Sequence, residues 1–334
     1  MGSRRQESGL THCCDDRCLQ MAFSEFECWS ESGQLECVAV FRPAALDVTS
    51  AEEAAAVGFM RPVTRSEAED AFGRLRDTLT RLGCQTIDLW ELLPERERAV
   101  SDTTVNRVFV RDTAAVLGRQ LVTGTAAFPV RLAEFDVAHR ALSQLQPELS
   151  SDEVPTSARI EFGDVFVLDA ERLLVNVGLR SDARALQPFL ELAWRSGFRE
   201  AAVVRIPESL GIIHLDLAFN VLGPRAVVAR AFLRHTPIQV FAQGVAPHWE
   251  PFDGYFAQRG CRVIPFEPKG ESGFMSNFIY VGPNLILASE SASVGLRPLA
   301  KEAGIEVASV DIEALERGNG SVRCLTMPLR RRAV

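Results

Sequence analysis

No apolar run in this sequence approaches the roughly 18 to 20 residues that a transmembrane helix requires. The opening stretch MGSRRQESGLTHCCDDRC carries charge but lacks the apolar segment of a secretory leader, so the cytoplasm is the expected location. The eight cysteines are sparse for 334 residues and include no C-x-x-C pair, which argues against a disulfide scaffold and for free thiols. An excess of basic charge is missing too. With a formal net charge of -8, the overall field favours neither nucleic acid nor an anionic membrane, and a small anionic or zwitterionic ligand would need local cations. Nor is there a Pro/Gly/Ser-rich linker or a low-complexity tract. One domain over residues 23–334, behind a disordered tail over residues 1–22, is the expected organisation.

What is present describes a globular chain: 47% of the residues are hydrophobic, enough for a substantial core. Two local clusters invite a functional reading. His12, Cys13, Cys14 and Cys18 could hold a soft metal, but metal sites draw on a framework that closes their geometry, and a polar tail is the simpler reading. Arg330, Arg331 and Arg332 read as a solvated basic tail rather than a phosphate site.

Repeats carry more information. VFVRDTAAVLGRQLVTG, GDVFVLDAERLLVNVG, HLDLAFNVLGPRAVVAR and NFIYVGPNLILAS each read as two short strands around a turn, and they recur roughly every 50 to 65 residues. Helical patterns ending in Gly83, Gly197, Gly260 and Gly304 follow or precede them, each with a further β-rich run beyond the glycine, where a helix end calls for positive φ. With the opening strand ECVAVFRP, about five such units result. An α/β module repeated five-fold suggests closure around an axis, which removes open sheet edges; an ordinary open α/β sheet is the competing arrangement.

Polar residues interrupt these runs. In HLDLAFNVL, read as a strand, His214 and Asp216 alternate with apolar residues and share a face. Asn106 and Asp112 flank another apolar run, Glu161 and Asp164 lie beside a third, and Arg180 follows a strand. One such residue is ordinary solvated surface. Repeated in several modules closed around an axis, they would converge on one pocket with Cys324, which follows the glycine-rich stretch ERGNGS. That set suits guanidinium chemistry. Carboxylates bind the planar cation through paired N–H to O bonds, a thiolate is strong enough to attack its resonance-stabilised carbon, and a histidine oriented by a carboxylate can serve both proton transfers.

NRVFVRD, IEFGDV, GLRSD, HLDLAF and the terminal segment AGIEVASVDIEALERGNGSVRCLTMPLRR, in this order, resemble the guanidine-modifying superfamily, the penteins, and within it arginine deiminase, dimethylargininase and amidinotransferase enzymes, arginine deiminase most closely. The resemblance runs from about Phe41 to Arg330 and implies a pseudo-symmetric α/β propeller of five ββαβ-like modules. It implies Cys324 as nucleophile, His214 as general acid and base, and Glu161 as the partner that orients His214. Asp112 and Asp216 become the guanidinium clamp, Arg180 the ligand of a substrate carboxylate, and Arg131 and Asn106 helpers. Phe162 departs from the family pattern, which usually has a glycine there, as do Asn319 and Ser321 in the terminal loop. The family's helical insertion before Asn106 has too few residues to be present. The implied activity is hydrolysis of arginine or a close analogue to a ureido product and ammonia, with dimethylarginine hydrolysis and amidino transfer as alternatives. No metal or cofactor is implied, the implied partner is a small guanidine substrate rather than nucleic acid or membrane, and a homodimer is left open.

Overall fold

The computed structural model describes residues 26–145, 158–268 and 273–332. The His12, Cys13, Cys14 and Cys18 cluster and the expected tail lie outside the described residues. Among the described residues no helix is long and apolar enough to cross a membrane, and Cys28, Cys37, Cys84, Cys261 and Cys324 are free thiols.

All four hairpins form. Ala114–Leu117 pairs with Gln120–Thr123, Val165–Val167 with Arg172–Asn176, Phe219–Gly223 with Ala226–Arg230, and Ile279–Gly282 with Leu285–Ser289, each antiparallel. In three modules a helix then returns the chain to a third strand parallel to the second: Ala183–Arg195 to Glu200–Val204, Phe252–Gln258 to Arg262–Phe266, and Glu290–Glu302 to Glu306–Val310. The remaining module is built from sequence-distant parts. Met327–Arg332 pairs antiparallel with Gln34–Val40, and helix Arg65–Arg81 leads to Gln85–Asp88, parallel to Gln34–Val40. The five sheets make a mixed α/β propeller in which the last strand completes the first sheet.

Two modules depart from the plan. The Ala114–Thr123 hairpin has no full third strand; Thr125 forms only an isolated bridge with Ile160. The Glu200–Val204 sheet gains an extra hairpin, Pro237–Ala242 with Val245–Pro251.

Local chemistry explains the helix boundaries. Thr64 and Glu67 form a reciprocal capping box, and Asp182 and Ser289 accept first-turn N–H groups of their helices. The four helix-end glycines adopt φ values of 79°, 104°, 67° and 72°, the left-handed conformation that costs glycine least. Each helix then buries an apolar stripe against its sheet: Leu75 and Leu79 join Val38 and Val40, and Phe189 and Leu190 join Leu173 and Val203.

Two sequence expectations are corrected. Arg330, Arg331 and Arg332 are no solvated tail: they belong to the closing strand, Arg330 and Arg332 pair with Glu36, and Arg331 is buried. His214 and Asp216 do not share a strand face, because Leu215–Leu217 is a 3-10 turn and the strand begins at Phe219. The neighbouring module supplies the reason: Asp164 accepts the Leu215 N–H at 2.9 Å and Glu161 holds His214, drawing this backbone out of the ladder.

Candidate active site

A tight turn precedes the first strand of every module: Val110–Asp112, Phe162–Asp164, Leu215–Leu217, and the turns at residues 273–276 and 322–325. Asp112, Asp164, Asp216 and Cys324 lie in these turns and Asn277 directly after its own, each one to three residues before its strand. Hydrogen bonds pass from turn to turn. Leu215 N–H donates to Asp164, Ser276 Oγ to the Asp216 carbonyl at 2.9 Å, Cys324 N–H to Asn277 Oδ1 at 3.3 Å, and Arg111 N–H to the Cys324 carbonyl at 3.2 Å. Between the Asp112 and Phe162 turns the backbones nearly touch at Gly124, where an added Cβ would lie 2.6 Å from the Ile160 oxygen. Closure thus brings one polar residue from every module to the centre.

Asn106, Asp112, Arg131, Arg180, His214 and Cys324 line a cavity of about 250 Å³. Glu161 and Asp216, both fully buried, back it through contacts to His214 and Cys324. Every candidate residue is therefore at or directly behind one cavity. His214 Nε2 lies 2.9 Å from Glu161 Oε2, and its Nδ1 is 3.5 Å from Asp112 Oδ1. Burial alone would lower the imidazole pKa; Asp112 and the Glu161 hydrogen bond outweigh it and raise the value to about 9, so His214 carries a proton at neutral pH. Burial opposes ionisation of Glu161, but the His214 hydrogen bond and the Arg131 and Arg180 charges lower its pKa to about 2.

Arg131 donates to Asp112 at 2.7 Å, to Glu134 at 2.9 Å and to Glu161 at 3.4 Å. Arg180 reaches Glu161 at 3.3 Å and lies over the Phe128 ring, 4.5 Å from its centroid, with its side chain partly open to solvent. Asn106 donates to the Val57 carbonyl at 2.9 Å and its own N–H bonds Glu134. Asp112, Glu161 and His214 offer donor atoms within 4.8 Å of one another. The charges of Arg131 and His214 already lie among them, so the set is balanced internally.

The Cys324 thiol donates to Asp216 Oδ2 at 3.5 Å. Burial, then the negative charges of Asp216 and Asp112, push its pKa well up, so the resting side chain is a thiol. Asp216 is held above the usual carboxylate range, chiefly by burial. Among the described residues Asp112 Oδ1 and Asp216 Oδ1 are both buried without a hydrogen bond, Asp112 Oδ1 having only the 3.5 Å ion contact to His214.

Sequence reasoning missed Asn277. Its Oδ1 accepts the N–H groups of Arg323 and Cys324 at 3.0 and 3.3 Å, which turns its amide N–H toward Cys324 Sγ at 3.1 Å. The signal was present: Asn277 precedes the strand in FMSNFIY as Asp112 precedes its own in FVRDTAA. Asp164, noted only as a neighbour of Glu161, accepts from Asn176 and Leu215 and sets the His214 turn. The departure at Phe162 leaves the pocket intact. Phe162 packs into the core edge-on to Phe189, and Gly163 faces the imidazole, where a Cβ would come within 2.6 Å of His214 Cγ.

The arginine deiminase family profile matches residues 84–246 and 269–331. Arginine deiminase of Listeria welshimeri is 26% identical over 268 residues, covering 72% of this chain and 65% of that protein; the enzyme of Bacillus cytotoxicus is 21% identical over 280 residues, covering 75% and 68%. The chain thus spans about 65% of the length of the Listeria relatives. Among solved structures, dimethylarginine dimethylaminohydrolase of Pseudomonas aeruginosa bound to citrulline superposes with a TM-score of 0.65 at 15% identity, over 88% of this chain and 99% of that one. An amidinotransferase of saxitoxin biosynthesis from Microseira wollei gives 0.64 at 12%, over 92% and 98%. The N-terminal domain of ArgZ, an arginine dihydrolase of Cyanobacteria, gives 0.65 at 16%, over 89% and 99%. These likenesses establish the pentein fold.

Proposed function

We propose that this chain, which belongs to the arginine deiminase family, hydrolyses the guanidino group of arginine or a close analogue in the cytoplasm, giving a ureido product and ammonia through an S-amidino intermediate on Cys324. The observation that carries the reading is a buried thiol against Asp216, beside a cavity lined by Asp112, with one oxygen of each carboxylate making no hydrogen bond among the described residues. An unpaired buried acceptor costs roughly 1–3 kcal/mol, and a planar cation rich in N–H donors relieves two at once. Its charge also opposes the fields of Asp216 and Asp112 that keep Cys324 protonated, so substrate binding favours the thiolate where it is needed.

As the cationic substrate enters, Cys324 loses its proton to solvent; attack of the resulting thiolate on the guanidinium carbon forms the C–S bond, and protonated His214 gives its proton to the departing nitrogen, which leaves as ammonia. Neutral His214, held by Glu161, then takes a proton from water. The hydroxide adds to the S-amidino carbon and the C–S bond breaks, yielding the ureido product and restoring Cys324. Arg180, at the mouth over Phe128, is the proposed ligand of the substrate carboxylate, with Arg131 and Asn106 shaping the same wall. Methylation of the guanidinium removes donors that Asp112 and Asp216 need, which disfavours dimethylarginine.

Arginine alone in ¹⁸O-water, analysed by mass spectrometry, should yield citrulline carrying one labelled oxygen, plus ammonia. Release of ornithine with product formed only when an amine is added would make the protein an amidinotransferase. Preference for asymmetric dimethylarginine in paired kinetics would make it a dimethylargininase.

A further inference from the structure

Behind Cys324, among the first strands of the modules, lies a second cluster of buried charge that the proposed chemistry does not use. Arg111, Arg323 and Arg331 are all buried, with Glu31 among them. Arg323 takes both oxygens of Glu31, at 2.8 and 3.0 Å, and its guanidinium lies over Phe166. That bidentate pairing commits Glu31. Arg111 approaches Glu31 only at 3.9 Å and spends its Nε on the Thr326 carbonyl at 2.9 Å. Arg331 makes no ion pair among the described residues; its Nη1 donates to the Gly33 and Tyr280 carbonyls at 2.7 Å each. Arg111 Nη2 and Arg331 Nε and Nη2 are buried N–H donors without an acceptor among the described residues.

Three guanidinium groups thus face one carboxylate directly, and the next, Asp216, stands 3.8 Å from Arg323. Arg111 and Arg331, with Glu31, line a cavity of about 20 Å³, room for a single water-sized particle. Its other walls include Cys28, Ser30, Val116, Val165 and Pro328; burial pushes the Cys28 thiol up to about 12, so these walls offer no counter-charge. A water fits the space but leaves the excess of positive charge untouched; an occupant that accepts from the arginines and also offsets that excess is one atom in size and negatively charged.

We propose that this cavity is a binding site for one monatomic anion, a halide, held between Arg111 and Arg331. Both arginines belong to the frame of the active site: Arg111 adjoins Asp112 and bonds the Cys324 carbonyl, and Arg331 lies in the strand that closes the propeller. The ion therefore fastens the closing strand to the turn beside the nucleophile. Polyatomic anions such as sulfate exceed the cavity.

Two measurements on the intact protein test this. In methanesulfonate buffers of constant pH and ionic strength, replacing the anion stepwise by chloride or bromide should raise the melting temperature along a saturating one-site curve. Crystals grown in bromide should show an anomalous peak between the Arg111 and Arg331 side chains. Arg331→Met should abolish the saturable response; if that variant does not fold, the bromide crystal of the unaltered protein decides. A linear or absent salt response, or a site filled by water with no anomalous peak, overturns the proposal.

Discussion

Two clusters of buried charge meet at the centre of the propeller, and they are unbalanced in opposite directions. Toward the cavity, Asp112, Glu134, Glu161, Asp164 and Asp216 outnumber Arg131, Arg180 and His214, and the unpartnered atoms include carboxylate oxygens. Behind Cys324, Arg111, Arg323 and Arg331 outnumber Glu31, and the unpartnered atoms are guanidinium nitrogens. Consecutive residues divide between the two: Arg111 and Asp112, Arg323 and Cys324. A turn before a strand sends neighbouring side chains in different directions, so one short segment furnishes both regions. The comparison teaches that buried imbalance is directional. On the proposed readings, the acidic side receives a cation that arrives and leaves, and the basic side holds an anion that stays.

The largest expected effect separates the thiols. Cys324→Ser should remove measurable citrulline formation, whereas Cys84→Ser and Cys261→Ser should retain it; burial lifts the pKa of those two to about 12 and about 11, and among the described residues neither hydrogen-bonds a histidine or a carboxylate. Normal turnover in the Cys324 variant would dissolve the distinction between the two sides. Next, paired stability measurements set the regions against each other. Glu31→Gln should cost about 3–5 kcal/mol in denaturant unfolding, because it strands Arg323 beside two other guanidiniums. Asp216→Asn should cost no stability at neutral pH, since an aspartate whose pKa is higher folded than unfolded works against folding when ionised, yet turnover should collapse. Equal losses of stability would mean that the two clusters are not differently organised.

Asn277→Asp sharpens the comparison at the boundary. The variant keeps an acceptor for the Arg323 and Cys324 N–H groups but replaces a donor to sulfur with negative charge. Folding should persist while kcat falls, by at least the roughly ten-fold that about 1.5 kcal/mol represents. Arg180→Gln should lower kcat/KM about ten- to a hundred-fold, roughly 1.5–3 kcal/mol, chiefly through KM, and agmatine should be a poor substrate of the unaltered enzyme. Agmatine turned over as well as arginine would reassign Arg180.

The smallest effect is the pH dependence of stability. With a folded pKa of about 9 against 6.5 in the unfolded chain, His214 contributes stability that is fully present below about 6.5 and lost as pH rises through about 9. Glu161 contributes stability present above 4.5 and lost as pH falls through about 2. Melting temperature should therefore decline between pH 6.5 and 9, and His214→Gln should flatten that decline.

Much of this was legible along the chain because it rests on local rules. Hairpin turns, helix-end glycines and a polar residue ahead of each strand depend on neighbours a few residues away. The strand reading of HLDLAFNVL failed because alternation looks the same whether or not a neighbouring module captures the backbone; Asp164, 51 residues before Leu215, makes the difference. Asn277 went unnoticed because a single asparagine carries no signature until the sulfur it faces is placed beside it, 47 residues on.

By itself, then, the sequence determined the module plan, the family resemblance, and the convergence of Cys324, His214, Glu161, Asp112 and Asp216. The module plan follows from periodicity, the resemblance from five motifs in order, and the convergence from closure of the modules around residue types that are costly to bury for packing alone. Only the tertiary structure decided how the charges are matched. Arg323 finds Glu31 across 292 residues, Arg331 is buried rather than solvated, and Asp112 and Asp216 each keep one oxygen without a hydrogen bond among the described residues. The physical reason is that the energy of a buried charge depends on the distance and geometry of its partners, which closure of the ring creates and no stretch of sequence contains.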